Sequence, residues 1–345
     1  MDPSVTLLDV ARRASVSLAT ASRVLNGSSR VVGEGFRERV LDAAAQMGYT
    51  ANANAQAVAR GASQVVGLIV HDVTDPYFST IAAGVLAVTD QQRLIVSLGT
   101  AFGDPVRELE YVSLLRAQRA RSIILVGSRT MDSSCTAALA AELAAFVSGG
   151  GRVACVSQNK LGVDTVLAEN IAGARRLAEH VLSLGHRDVA VLAGPSRLLT
   201  ARDRASGFRR ALAEAGMNHV QMVHGPFTWE GGYEAAGAVV ASRSRATCIL
   251  AVNDVMAMGA LAALRDADIP VPQEISVAGF DDVPTLRDAT PTLTTVRLPL
   301  VEMGRRAAEL ALAAEQLGAP RVVRIRGEVV ARASTAAPGR RGRIG

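Results

Sequence analysis

Apolar positions recur along this chain in two different rhythms, and the change between them near residue 60 divides it. Up to residue 50 the spacing is helical. Leu7, Val10, Ala11 and Ala14 fall on one helix face, Ala21, Val24 and Leu25 on a second, and Phe36, Val40, Ala43, Ala44 and Met47 on a third. Thr6 with Asp9 three residues on is a helix-start signature, Ser17 is a second N-cap, and Asn26-Gly27 is a stop. Gly48-Tyr49 ends the third helix, expected over 34–47. From Ser63 the pattern turns to short, continuous apolar runs at 65–70, 94–98, 122–126 and 153–156, resuming at 188–194, 221–223, 248–252 and 276–280. Helical stretches separate them, at 79–88, 105–116, 170–184, 203–215, 230–241 and 254–267. Buried parallel strands with helical crossovers are the simplest construction, giving two α/β lobes in tandem, with the segment after Pro291 returning to the first.

The first two helices are short, joined by a tight turn around Val16, and too small to make a globule alone. They have the right size to lay the second helix in a DNA major groove, about 12 Å wide. The exposed side of that helix carries Ser17, Thr20, Ser22, Arg23 and Asn26, groups that bond phosphates and base edges and suit a packed face poorly. Leu18 and Ala19 are its first exposed residues. Being apolar, they favour contacts such as thymine methyls over bidentate hydrogen bonds, and Arg23 is the candidate for a guanine or phosphate. Thr6, at the start of the first helix, completes the candidate set there. The Ala-rich stretch 52–61 has no apolar stripe and is too short to hold as an isolated helix, so it is expected to be a linker or a helix formed only on a partner.

Composition changes this picture little. Of 345 residues, 49% are hydrophobic, which supports a sizeable buried interior. No apolar run reaches 18 residues and no basic-plus-apolar leader is visible, so a cytoplasmic protein without membrane association is expected. Cys135, Cys155 and Cys248 lie far apart in apolar or small-residue surroundings and are expected to be buried free thiols. The net charge of +5 counts for little, because residues 1–60 hold seven arginines against five acids. Neither a nucleophile elbow nor a P-loop occurs, and His180, His186, His219 and His224 show no metal-ligand spacing. No enzyme and no cofactor are expected.

Open α/β sheets bind ligands at the carboxyl ends of their strands, and two facing lobes gather those ends around one cleft. Asp72 and Asp75-Pro76-Tyr77-Phe78 follow the first strand, Arg204 opens a helix, and Asn253-Asp254 and Asp281-Asp282 follow two later strands. Carboxylate, amide and guanidinium groups beside aromatic faces suit a sugar, whose hydroxyls donate and accept while its C–H faces stack. Asp254 is expected to cap its helix and leave Asn253 to the ligand, and Asp282 to serve local turn bonding. His71 is expected to be a satisfied strand-end histidine, and Trp229 a rim residue.

The run VTLLDVARRASVS…SRVLNG, followed by V…GY…N and the strand QVVGLIV, resembles the lactose-repressor/galactose-repressor family of bacterial transcription regulators, from Val5 to about Ala333. The resemblance implies an all-α helix-turn-helix DNA-binding domain plus an α/β two-lobed core like that of periplasmic sugar-binding proteins. It places the DNA-binding domain at 1–51, a hinge at 52–62, and the effector-binding and dimerisation core at 63–335. Lobe 1 is then about 63–165 plus 296–328, lobe 2 about 166–290, and 336–345 a flexible basic tail. It assigns effector contacts to Arg204, Asn253 and Asp281, an aromatic platform to Phe227, and cleft aromatics to Tyr77 and Phe78, beside which Asp75 joins the effector-binding set from its place after the first strand. Asn52, Ala55 and Val58 fall on the DNA-contacting hinge. The chain departs from the family pattern at Ala51, where a Pro is common, and at Val58, where a Leu wedges into the minor groove; the shorter Val kinks DNA less. Gly33 and Phe36 replace hydroxyl residues that meet phosphate. The implied function is repression of carbohydrate genes by a homodimer on a near-palindromic operator, controlled by a sugar-like effector. A purine-like corepressor, and less favourably a sugar-binding or sugar-processing protein, are the competing readings.

Overall fold

In the computed structural model, which describes residues 5–26, 32–50, 63–242, 244–314 and 318–339, the N-terminal segment forms three helices: α1 (Leu7–Arg13), α2 (Leu18–Asn26) and α3 (Glu34–Gln46). Their inner faces close a small core of Val10, Ala11, Ala14, Ala21, Val40, Ala43 and Ala44, with Leu7, Val16, Val24, Leu25, Met47 and Tyr49 around it. Phe36 does not join it. It is half exposed, with the Arg39 guanidinium 5.0 Å above its ring. Phe36 lies one turn before Val40, where the buried positions of α3 begin.

The first lobe is a six-stranded sheet of order β11-β5-β4-β3-β1-β2, every neighbouring pair parallel. Its strands are β1 (Val65–Val70), β2 (Ile95–Thr100), β3 (Ser122–Val126), β4 (Arg152–Val156), β5 (Asp164–Ala168) and β11 (Val322–Ile325). Helices α4 (Pro76–Gln91), α5 (Pro105–Ala117) and α6 (Ser133–Ser148) make its crossovers. The second lobe is a parallel sheet of order β7-β6-β8-β9, built from β6 (Val189–Leu192), β7 (Gln221–Val223), β8 (Cys248–Ala251) and β9 (Ser276–Ala278). Around it stand α7 (Asn170–Ser183), α8 (Leu199–Glu214), α9 (Trp229–Ala241) and α10 (Asp254–Asp266). The near-continuous apolar runs are the strands buried on both faces, as in β3 and β8, where every residue is buried.

The chain passes between the lobes three times. It crosses after β5, returns through β10 (Thr295–Arg297) to α11 (Leu300–Leu312) in the first lobe, and leaves again through β12 (Glu328–Val330), which pairs antiparallel with β10. Helix α11 lies so close to α4 that a Cβ on Gly304 would sit 2.0 Å from the Ile81 carbonyl oxygen, and one on Gly84 2.0 Å from that of Val301. Two expected boundaries shift. The first sheet runs to Ala168, past residue 165, because β5 is an inner strand paired on both sides. The tail is not free from residue 336: the Ala336 carbonyl is 2.8 Å from His186 Nε2, and Pro338 lies against Gly185. Buried His186 also reaches Thr247 Oγ1 at 2.8 Å, which makes the Gly185-His186-Arg187 turn a structural junction. Cys155 and Cys248 are buried, whereas Cys135 is half exposed in the first turn of α6, where the helix faces outward.

Candidate functional site

At the N-terminus, local hydrogen bonding sets the presentation of α2. The Thr6 hydroxyl donates to Asp9 Oδ2 (2.6 Å) and accepts from the Asp9 amide (3.3 Å), so it serves the capping box of α1. Ser15 takes φ +54° to turn the chain, and Ser17 Oγ accepts the Thr20 amide (3.1 Å) while lying 2.8 Å from Thr20 Oγ1. With Ala21 buried beneath, Ser17, Leu18, Ala19 and Arg23 are left exposed and Thr20 and Ser22 half exposed, Leu18 at 49%. The side chain of Asn26, the turn after it, and the whole hinge with Asn52, Ala55 and Val58 lie outside the described residues.

Between the lobes a cleft of about 580 Å³, its open mouth included, takes its lining from both. Each of Asp75, Tyr77, Phe78, Arg204, Phe227, Asn253 and Asp281 borders it. Asp75 caps α4, accepting the Tyr77 amide at 2.9 Å, and Pro76 fixes the first helical φ. This start holds Tyr77 and Phe78 edge to face, ring centroids 5.0 Å apart. Phe227 enters from the loop after β7 and lies where a side chain on Gly194 (φ +66°) would stand, 2.3 Å from its ring.

Opposite the aromatics, Arg204 and Asp281 form a bidentate pair at 3.0 and 2.7 Å, both almost wholly buried. The guanidinium also donates to Asn170 Oδ1 (2.9 Å) and the Val252 carbonyl (2.8 Å), and lies 4.0 Å from the centre of the Phe280 ring. Four of its five N–H donors are thereby in use. Asp281 has φ +121°, a conformation that costs about 1–3 kcal/mol in an L-residue and persists where surroundings over-determine it. Burial pushes its carboxyl up, against the opposing pull of Arg204. Burial likewise raises Asp75 and Tyr77.

Three assignments reverse. Asn253, not Asp254, caps α10, its Oδ1 accepting the Met256 amide at 3.0 Å; only its NH₂ end is left for a ligand. Asp254 instead lies fully buried, accepting the Thr295 hydroxyl (2.6 Å) and the Val283 amide (3.0 Å), and burial pushes it up to about 6. Asp282 is no local turn group: it pairs with Arg297 (2.6 Å) and Arg332 (2.7 Å) from the returning segment. Arg204 does not open its helix, which starts five residues earlier at Leu199 behind a cap residue, Leu198, that offers no side-chain acceptor. His71 borders the cleft, its ring 5.7 Å from Phe78, and Trp229 is a half-exposed residue stacked on Tyr233.

Sequence reasoning missed the mouth of the cleft. There residues 129–131 and 197–199 meet as a short antiparallel bridge: the Met131 amide donates to the Arg197 carbonyl and the Leu199 amide to that of Arg129, both at 2.9 Å. The Thr200 amide donates to Ser128 Oγ (3.0 Å), and Gln158 Nε2 donates to Thr200 Oγ1 (2.8 Å) while its Oε1 takes the Arg129 amide (2.9 Å). Behind this clasp Arg129 grips both oxygens of Glu108 at 2.7 Å. The signal was available, since Ser128-Arg129 and Gln158 follow β3 and β4 at their carboxyl ends. Among the described residues, no His/Cys/Asp/Glu group is placed to hold a metal ion and no helix is long and apolar enough to cross a membrane.

A module that displays one polar helix, joined to a two-lobed α/β clamshell with a polar and aromatic cleft, defines the class of single-chain regulators that couple DNA binding to a small ligand. Residues 6–52 match the model of bacterial regulatory proteins of the lacI family, and residues 178–335 that of the periplasmic binding protein-like domain. The transcriptional regulator GalS of Salmonella typhimurium is 35% identical over 312 residues, 89% of either chain. A lac repressor dimer bound to operator and an anti-inducer superposes with TM-score 0.82 at 26% identity, covering 97% of this chain and 100% of that one. The regulator CelR in complex with cellobiose gives 0.69 at 26% identity, over 96% and 99%. The chain belongs to the lacI family of bacterial regulatory proteins.

Proposed function

We propose that this protein is a transcriptional repressor of carbohydrate genes that binds a near-palindromic operator as a homodimer and takes a sugar-like effector between its lobes. The observation that carries this reading is a cleft floored by the Arg204–Asp281 pair and walled by Tyr77, Phe78 and Phe227, in a chain whose exposed α2 is free to enter a groove. Leu18, Ala19, Ser22, Arg23 and Asn26 read bases or phosphates, Thr6, Ser17 and Thr20 anchor the backbone, and Asn52, Ala55 and Val58 complete the contact from the hinge. Residues 1–51, 52–62 and 63–335 thus divide the labour between reading, coupling and sensing, in the cytoplasm where the DNA is.

A second copy has a surface to use. Strand β2 is a sheet edge with Ile95 67% and Leu98 48% exposed, and Leu86 on α4 is exposed as well. Covering this apolar edge and placing two α2 helices on successive half-sites are served by the same two-fold axis. Coupling requires the effector to bind one lobe arrangement better than another, by about 1–3 kcal/mol in typical cases. The test is a salt-controlled binding assay on DNA flanking the gene, with and without a panel of sugars. Selective binding altered by one sugar is expected. Non-selective binding that vanishes with salt, both on that DNA and across a random-sequence selection, overturns the proposal.

A further inference from the structure

The charges around the cleft are lopsided in a way that narrows its ligand. Its lining holds two carboxylates, Asp75 and Asp281, against one guanidinium, Arg204, and four of that guanidinium's five N–H donors are already bound within the protein, two of them to Asp281. The next cation inward, Arg129, is held by both oxygens of Glu108 and by Ser157 Oγ at 3.2 Å. Arg197 and Lys160 are exposed and belong to no part of the lining. Burial pushes the His71 imidazole down, away from its cationic form, against the pull of Glu108 and Asp72.

Helix N-termini are the other common seat for an anion, since their free N–H groups and dipole attract negative charge. Three of those facing this cleft are already occupied, and the fourth, that of α7, has no side-chain cap but an acidic residue in front of it. Asp75 puts a carboxylate on the start of α4 and Asn253 an amide oxygen on the start of α10. At the start of α8, the Leu199 and Thr200 amides are taken by the clasp. Helix α7 follows directly on the acidic Glu169.

We infer that the effector is uncharged: the cleft selects a neutral polyhydroxylated molecule and rejects its phosphate ester or carboxylate derivative. This rests on the reading of the cleft as a sugar site and states which sugars enter. What remains for a ligand is hydroxyl-matched, namely the Asn253 amide, the fifth Arg204 N–H, the Tyr77 and Thr200 side chains and the outer edge of Asp75, with aromatic faces for the C–H side. An added negative charge about 6 Å from Asp75, where the one lining guanidinium is already paired with Asp281, weakens binding by roughly 100-fold at the effective dielectric of a protein cleft.

Isothermal titration of the full chain with neutral mono- and disaccharides, their 6-phosphates and the corresponding uronic acids, at fixed ionic strength, tests this. The binding sugar is expected to exceed its phosphate and its acid by about 100-fold. In Asp75→Asn, which keeps a good N-cap, the neutral-to-phosphate ratio should fall at least several-fold, because the repelling charge has gone. A phosphate or acid that binds as tightly as its parent in the unaltered protein overturns the inference and leaves the sugar reading intact. A neutral nucleobase or nucleoside that binds where every sugar fails overturns the sugar reading and leaves the charge selection standing.

Discussion

Replacing Asp281 by alanine should destabilise the core far more than it would at a simple ligand-contact residue. The carboxylate and Arg204 are 5% and 3% exposed, and Asp281 is the one carboxylate hydrogen-bonded to the guanidinium among the described residues. Without Asp281 the cation keeps Asn170 Oδ1, the Val252 carbonyl and the face of Phe280, all neutral. Removing one partner of such a buried pair costs about 3–5 kcal/mol, because the other charge stays behind unpaired. Alanine at φ +121° relieves nothing, so no offset comes from the backbone. At roughly 2–4 °C per kcal/mol for a domain of this size, the core should melt about 10 °C lower, and its urea midpoint should move with an unchanged slope. The double replacement Arg204→Met with Asp281→Leu should recover most of that loss, since an apolar pair of similar volume is about neutral. It should still bind operator and should not respond to effector. A single variant that loses less than about 1 kcal/mol, or a double variant no more stable than the single, refutes the reasoning.

Three further outcomes follow from the same geometry. Asp254 has its proton affinity raised by burial from the ordinary 3.8 to about 6, so the folded state binds a proton the unfolded state does not. Its contribution to stability is fully present below about pH 4 and is lost as pH rises through 6; urea melts of Asp254→Asn and its parent between pH 4 and 7 should diverge over that window, and parallel curves would refute it. Gln158→Ala removes the Gln158–Thr200 hydrogen bond between the lobes, along with the Gln158–Arg129 bond that braces it, and should speed effector association about 10-fold, by analogy with roughly 1–2 kcal/mol for such a bond; stopped-flow fluorescence of Trp229, the sole tryptophan, two residues from Phe227, measures it. Arg23→Ala should weaken operator binding by about 10–100-fold in gel shifts while calorimetry finds effector affinity unchanged, because Arg23 is exposed and far from any packing role.

Much of the fold was legible because burial on both faces writes itself as continuous apolar runs. β1, β3, β4 and the second-lobe strands were placed within a residue or two for that reason. β11 escaped notice because VVRI alternates exposed and half-buried residues at a sheet edge, and β5 because Asp164-Thr165 begins it with polar groups. The cleft residues were legible as polar groups at strand ends, and all seven border it. Their partners were not. That Arg204 binds Asp281 across 77 residues, and that Asn253 rather than Asp254 turns back onto its helix, depends on how α8 and α10 are set against β9. No local pattern encodes that.

The strap formed by the last described residues has a consequence for how the protein is made. β11 completes the first sheet, the Ser334 carbonyl takes the Val277 amide of the second at 2.9 Å, and Ala336 holds His186. The helix-turn-helix core, by contrast, is closed by residues 7–49 alone. During synthesis the DNA-binding module can therefore fold early, while both lobes stay unfinished until the end of the chain has been delivered. A premature stop before β11 unfastens both lobes at once and leaves a DNA-binding module with nothing to pair it or command it.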